Sequence, residues 1–156
     1  TKEWDRILAP LTGLGGIMMV ILPGLDALFG WTQGFSLWVI LASLLFILVG
    51  YTWSSYALIE NRFFSGVVRI QKDRGQQVVS SGPYAVMRHP GYAGAILMYL
   101  ATPLFLDSLW TYLPVLFMIV VLVIRTRLED QTLQQELEGY REYAGRVRFR
   151  LLPGVW

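Results

Sequence analysis

Long apolar stretches alternate with short polar ones along the 156 residues of this chain. The apolar stretches are residues 7–25, 35–59, 91–106 and 108–124. The second has 25 consecutive residues without Asp, Glu, Lys or Arg, and a helix needs about 20 apolar residues to cross a bilayer. The last two are separated only by Asp107, which predicts a tight hairpin. The pattern therefore predicts an all-α integral membrane protein with about four transmembrane helices.

Two polar segments, 60–90 and 125–156, complete the predicted single membrane-embedded domain over residues 1–156. In the first segment, two Val-Val pairs at 67–68 and 78–79 could support short extended pieces. In the second, apolar residues recur at helical spacing, which predicts a C-terminal helix outside the membrane. The first residue is Thr rather than Met, so the sequence leaves room for a further helix upstream.

The basic residues all fall on one side of this four-span division. None of the 13 lies in the turn around Asp26 or at Asp107, two acidic residues that we expect in loops. The positive-inside rule makes the basic side of the membrane cytoplasmic. Only 15% of the residues are charged, against about 25% in soluble domains. A net charge of +2 is too small to indicate nucleic acid as a partner.

Cysteine is absent and His89 is the only histidine, so disulfides, thiolate sites and sites with two imidazoles are excluded. We expect no metal site. The sequence indicates membrane lipids as surroundings and does not indicate any protein partner.

Two polar clusters could carry chemistry. The first, 84–92, is interpreted either as a loop that leads into a proline-started helix or as an anion-favouring site at a helix N-terminus. The second, 125–130, is either a solvated helix start or a pair of carboxylates that binds the ammonium or ribose hydroxyls of a polar cofactor. The tail, 146–156, alternates basic and apolar residues, which is typical of a membrane-surface anchor.

The order and spacing of these motifs resemble one known superfamily. The motifs are Val78-Val79-x-x-Gly82-Pro83-Tyr84-x-x-x-Arg88-His89-Pro90-x-Tyr92-x-Gly94, Arg125-x-x-x-Glu129-Asp130-x-x-Leu133, Gly139-Tyr140-x-x-Tyr143, Arg146-Val147 and Leu152-Pro153-Gly154-x-Trp156. About half of the chain, from Gly75 to Trp156, resembles small prokaryotic members of the isoprenylcysteine carboxyl methyltransferase and phospholipid methyltransferase superfamily.

The resemblance implies an integral-membrane enzyme of a prokaryotic inner membrane. This enzyme would use S-adenosyl-L-methionine to methylate a lipophilic acceptor similar to an isoprenylcysteine carboxylate. Arg88 and His89 would be the catalytic residues, with Arg88 orienting the acceptor carboxylate. Arg125 would support the acidic pair of Glu129 and Asp130. The residues implied in cofactor binding are Tyr84, His89, Pro90, Tyr92, Gly94, Arg125, Glu129 and Asp130.

The sequence departs from the family pattern at two positions. Gln76 stands where the family usually has His, and Asp130 replaces the second Glu of the acidic pair. Gln cannot titrate near neutral pH, and Asp is one methylene shorter than Glu.

Other functions stay open at this point. A phospholipid amine or a small thiol is an alternative acceptor. Such an acceptor would need a base, and His89 supplies the only imidazole of the chain. A membrane reductase of the steroid reductase type, using NADPH, has a similar C-terminal layout. A non-enzymatic membrane scaffold would leave both polar clusters unexplained.

Overall fold

The structure, a computed structural model, describes residues 2–156. It contains five α-helices and three short 3₁₀ turns, and no strand occurs in this range. The all-helical class is therefore confirmed, and the two Val-Val pairs do not form strands. The helices are α1 (Asp5–Phe29), α2 (Leu37–Glu60), α3 (Pro90–Phe105), α4 (Tyr112–Glu136) and α5 (Tyr140–Arg146), with 3₁₀ turns at Lys72–Arg74, Gly82–Ala85 and Leu109–Thr111.

Three helical segments are long and apolar enough to cross a membrane: α1, α2 and the continuous stretch Leu109–Glu136 that contains α4. The helix α3 has 16 residues and is about 24 Å long at 1.5 Å per residue, whereas a bilayer core is about 30 Å thick. Integral membrane character is thus supported by three helices, and the number of four crossings stays a prediction.

Helix α2 packs against α3, α1 packs against α4, and α3 also contacts α4. Glycines permit the closest approach between α2 and α3. A Cβ atom at Gly94 would lie 2.6 Å from the carbonyl oxygen of Gly50, so neither helix could keep its position with a side chain there. Large apolar side chains such as Trp38 and Ile59 remain exposed, as expected for helices that face lipid.

One end of the bundle is polar. The start of α1, the end of α2, the start of α3 and the second half of α4 meet there, around the segment 61–89. The ammonium of Lys2 forms an ion pair with Glu136 at 2.5 Å, and the backbone N–H of Lys2 donates to the carbonyl of Val68. Sequence segments that are distant along the chain thus enclose one region.

At the opposite end, Asp26 corrects an expectation from the sequence. It lies in the last turn of α1 rather than in a loop and is buried, with 2% of its surface exposed. Its carboxylate accepts hydrogen bonds from the hydroxyls of Thr32 and Ser108, so it ties α1 to the connection between α3 and α4. Asp107 does lie in that connection, and it accepts a hydrogen bond from the backbone N–H of Phe35.

Candidate functional site

A cavity opens at the polar end, between the segment 61–79, the start of α3 and the facing parts of α4 and α5. Aromatic rings, side-chain amides and a few charged groups line it together. The lining includes Asn61, Phe63, Phe64, Gln71, Gln76, Gln77, Tyr84, Arg88, His89, Tyr92, Glu129, Leu133, Leu137, Tyr140 and Tyr143. The two polar clusters of the sequence are therefore brought together on one cavity.

The wall formed by α3 and α4 presents a carboxylate beside two rings. The hydroxyl of Tyr92 donates a hydrogen bond to Glu129 Oε2 at 2.7 Å. The ring of Tyr92 stacks on the imidazole of His89, with centroids 5.8 Å apart and planes 3° from parallel. Among residues 2–156, no Lys, Arg or His forms an ion pair with Glu129. The wall therefore offers a negative charge that has no ion-pair partner in the described part of the chain.

Asp130, one residue further along α4, points elsewhere. It is fully buried and is not part of the cavity lining. Its Oδ1 accepts a hydrogen bond from the hydroxyl of Tyr140 at 3.0 Å, and its Oδ2 accepts one from Arg150 Nε at 2.9 Å. Arg88 Nε lies 3.1 Å from Oδ1, and His89 Nε2 lies 3.6 Å from the same oxygen. Asp130 is thus a buried anion behind the cavity that holds cationic and polar side chains in place.

The C-terminal tail fixes Arg88 and His89 through the backbone. The N–H groups of Arg88 and His89 donate to the carbonyls of Phe149 and Arg150, both at 2.9 Å. His89 directly precedes α3, whose first residue is Pro90. Proline is common at the first position of a helix, because the N–H that it lacks would have no partner within the helix there. The tail therefore folds back onto the site. The membrane-anchor interpretation of the tail did not anticipate these contacts.

Besides Asp130, three residues implied by the resemblance are not part of the cavity lining: Pro90, Gly94 and Arg125. Gly94 lies at the contact between α2 and α3. Arg125 forms no ion pair with Glu129 or Asp130 among the described residues. Its Nε donates to Asp5 at 2.8 Å, and its Nη2 donates to the carbonyl of Gly66 at 2.6 Å. The start of α1 supplies a carboxylate that the sequence interpretation did not consider, and Arg125 pairs with it.

Three buried tyrosines join the cavity wall to α5. The hydroxyl of Tyr143 donates to the carbonyl of Tyr84 at 2.7 Å. Burial raises the pKa of Tyr84. Burial and the nearby Asp130 carboxylate raise the pKa of Tyr140, and burial also raises the pKa of Tyr143. All three hydroxyls therefore stay protonated at neutral pH and act as hydrogen-bond donors.

The polar loop before α3 contains lining residues that sequence reasoning missed. Gln71 is 1% exposed, and its backbone N–H donates to Oε1 of Gln76 at 2.7 Å. Its side-chain amide donates to the carbonyl of Phe63. Gln76, which stands where the family usually has His, therefore stabilises the loop that lines the cavity before α3. A buried glutamine has no sequence pattern that distinguishes it from an exposed one, so only the structure could reveal this.

Comparisons with known proteins now identify the family. The phospholipid methyltransferase family model matches residues 35–138. The chain belongs to this family. It is 37% identical over 95 residues to a Delta(14)-sterol reductase of Mus musculus, covering 59% of this chain and 23% of the reductase. It is 42% identical over 62 residues to the uncharacterized protein YpbQ of Bacillus subtilis, covering 39% of this chain and 37% of that protein.

The matched regions span less than half the length of either relative. The family resemblance predicted from the sequence is confirmed, and the family is methyltransferase-related although one relative is a sterol reductase. The matched range contains α2, α3 and α4 but begins after α1 ends.

Proposed function

We propose that this protein transfers the methyl group of S-adenosyl-L-methionine to a lipophilic acceptor at the cytoplasmic surface of the membrane. The carboxylate of Glu129 carries the proposal, because it lies on the cavity wall beside Tyr92 and has no ion-pair partner in residues 2–156. An unneutralised carboxylate favours a cationic ligand. Aromatic faces add to that preference, since they attract cations through their quadrupole.

The chemistry of the cofactor fits these groups. S-adenosyl-L-methionine carries a sulfonium and an ammonium, and Glu129 would bind the ammonium or the ribose hydroxyls. The neighbouring rings of Phe63, Phe64 and Tyr92 offer apolar surface for the adenine. When bound, the sulfonium supplies an electrophilic methyl group, so catalysis depends mostly on positioning the two reactants.

Arg88 and His89 are proposed to act on the acceptor. Both are buried and line the cavity, where Arg88 Nε and His89 Nε2 lie 3.1 Å and 3.6 Å from Asp130 Oδ1. Asp130 compensates only part of the charge at this position, because Arg88 and Arg150 both lie against it. The remaining positive charge suits an acceptor carboxylate, which needs no base. A phospholipid amine or a thiol would instead need His89 to accept its proton.

The reductase relative gives the second candidate function, an NADPH-dependent reduction like that of a sterol reductase. The 37% identity over 95 residues favours it. The negative charge of Glu129 disfavours a polyanion at its wall, so NADPH would have to place its phosphates at Arg69 and Arg88, the two cations of the lining.

The test is a titration of the detergent-solubilised protein with S-adenosylhomocysteine and, separately, with NADPH, followed by thermal unfolding. We expect S-adenosylhomocysteine to raise the Tm of the protein and NADPH to leave the Tm unchanged. Glu129→Gln should weaken binding of S-adenosylhomocysteine about 10- to 100-fold, since a hydrogen bond to a charged group contributes about 1.5–3 kcal/mol.

Glu138→Gln is the matched control, because Glu138 is exposed and does not line this cavity. Stabilisation by NADPH alone would refute the methyltransferase proposal and support the reductase. Equal affinity in Glu129→Gln and the wild type would show that the cofactor does not bind at this wall.

A further inference from the structure

We infer that Asp5, in the first turn of α1, is a positioning residue that keeps Glu129 free to bind the cofactor. This inference rests on the proposed function. Asp5 does not line the cavity and lies outside residues 35–138, which match the family model. Its effect on the site passes through Arg125.

The carboxylate of Asp5 is fully buried and accepts hydrogen bonds from two separate parts of the chain. Oδ1 accepts a hydrogen bond from Arg125 Nε at 2.8 Å, and Oδ2 accepts one from the backbone N–H of Val68 at 2.7 Å. Val68 belongs to the loop that lines the cavity. Arg125 is only 7% exposed, so its guanidinium needs a partner inside the protein.

Arg125 lies next to the proposed cofactor wall. Its guanidinium carbon is 6.0 Å from the centroid of the Tyr92 ring, and Tyr92 donates its hydroxyl to Glu129. Arg125 and Glu129 are four residues apart on α4, a spacing at which opposite charges on a helix pair with each other. In the structure Arg125 instead pairs with Asp5.

Asp5 therefore competes with Glu129 for Arg125. Without the Asp5 carboxylate, the buried guanidinium would keep only the Gly66 carbonyl as a partner. The carboxylate four residues further along its own helix is Glu129. An ion pair between them would neutralise the charge that the proposed cofactor requires. The contact between α1 and α4 thus sets the charge of the cavity wall, in addition to packing the bundle.

Asp5→Asn tests this inference, with Asp26→Asn as the matched control. Asp26 is the other buried carboxylate of α1, at the opposite end of that helix. We expect Asp5→Asn to weaken binding of S-adenosylhomocysteine about tenfold, which corresponds to about 1.4 kcal/mol. Asp26→Asn should leave that affinity within about twofold, although both variants lose thermal stability. If both variants keep the wild-type affinity, Asp5 is only structural and the inference is wrong.

A double variant gives a readout that a purely structural role would not produce. Arg125→Gln in the Asp5→Asn background removes both charges and leaves Glu129 unpaired, so affinity should return to within about threefold of the wild type. A double variant that binds no better than Asp5→Asn would contradict competition for Arg125.

A second measurement needs no ligand and separates this inference from the proposed function. His89 is the only histidine and stacks on Tyr92, so its imidazole resonances report on this wall in protein purified without a histidine tag. Asp5→Asn should shift them, and Asp26→Asn should not. If the wild type does not bind S-adenosylhomocysteine, the proposed function fails, and this comparison still decides whether Asp5 positions the wall. Unchanged resonances in both variants would overturn the inference.

Discussion

The two adjacent carboxylates of α4 should respond differently to the same chemical change. Asp130→Asn removes a fully buried charge that contacts Arg88 at 3.1 Å and Arg150 at 2.9 Å. Glu129→Gln removes a charge on the cavity wall whose one side-chain hydrogen bond in the described protein comes from Tyr92. We expect Asp130→Asn to lower stability strongly and Glu129→Gln to lower it little.

The magnitude follows from what each change leaves behind. Removing one partner of a buried ion pair costs about 3–5 kcal/mol, because the remaining charge is buried and unpaired. Arg88 is 7% exposed and would be left in that state. Arg150 has 29% of its side chain exposed. Solvent therefore screens its charge, and its contribution to the lost stability is small. We therefore expect about 3 kcal/mol for Asp130→Asn and less than about 1 kcal/mol for Glu129→Gln.

Thermal unfolding in detergent, followed by tryptophan fluorescence, measures the difference. For a chain of this size, 1 kcal/mol corresponds to about 2–4 °C in Tm. The Tm of Asp130→Asn should fall by about 6–12 °C and that of Glu129→Gln by less than about 4 °C. If the two variants lose the same stability, Asp130 is not the buried anion that holds Arg88, and the assignment of different roles to the two carboxylates is refuted.

Two further predictions concern the packing of α2 against α3 and the hydrogen bond from Tyr140 to Asp130. Gly94→Ala should lower Tm sharply, because the new Cβ would lie 2.6 Å from the carbonyl oxygen of Gly50, whereas Gly91→Ala meets nothing closer than 3.6 Å and should be tolerated. Equal Tm values for the two glycine variants would contradict the α2–α3 contact. Tyr140→Phe should cost about 1 kcal/mol, because Asp130 loses a hydrogen bond of 3.0 Å. An unchanged Tm in this variant would show that the hydroxyl does not stabilise Asp130.

Much of the fold could be predicted from the order of apolar and polar residues. The uncharged run 35–59 predicts a spanning helix, and α2 occupies Leu37–Glu60. Helical spacing after the last apolar stretch predicts a further helix, and in the structure α4 continues through this region to Glu136. These predictions succeed because a helix in lipid must satisfy its backbone internally and expose apolar side chains, which leaves a strong local pattern.

The motifs also indicated where the site would form. The clusters 84–92 and 125–130 do meet on one cavity. The sequence could not assign different roles to Glu129 and Asp130. Adjacent residues on a helix point about 100° apart, and only the packing of α3, α5 and the tail decides which of the two faces the cavity.

The sequence alone determined the membrane class, the all-helical fold and the family, because each is carried by residues close together along the chain. The tertiary structure decided which charges meet. Asp5 and Arg125 are 120 residues apart and form a buried pair. Asp130 holds one arginine from the segment just before α3 and one from the tail. Such pairs depend on long-range contacts between helices. No local pattern records them, and they determine which carboxylate remains free on the cavity wall.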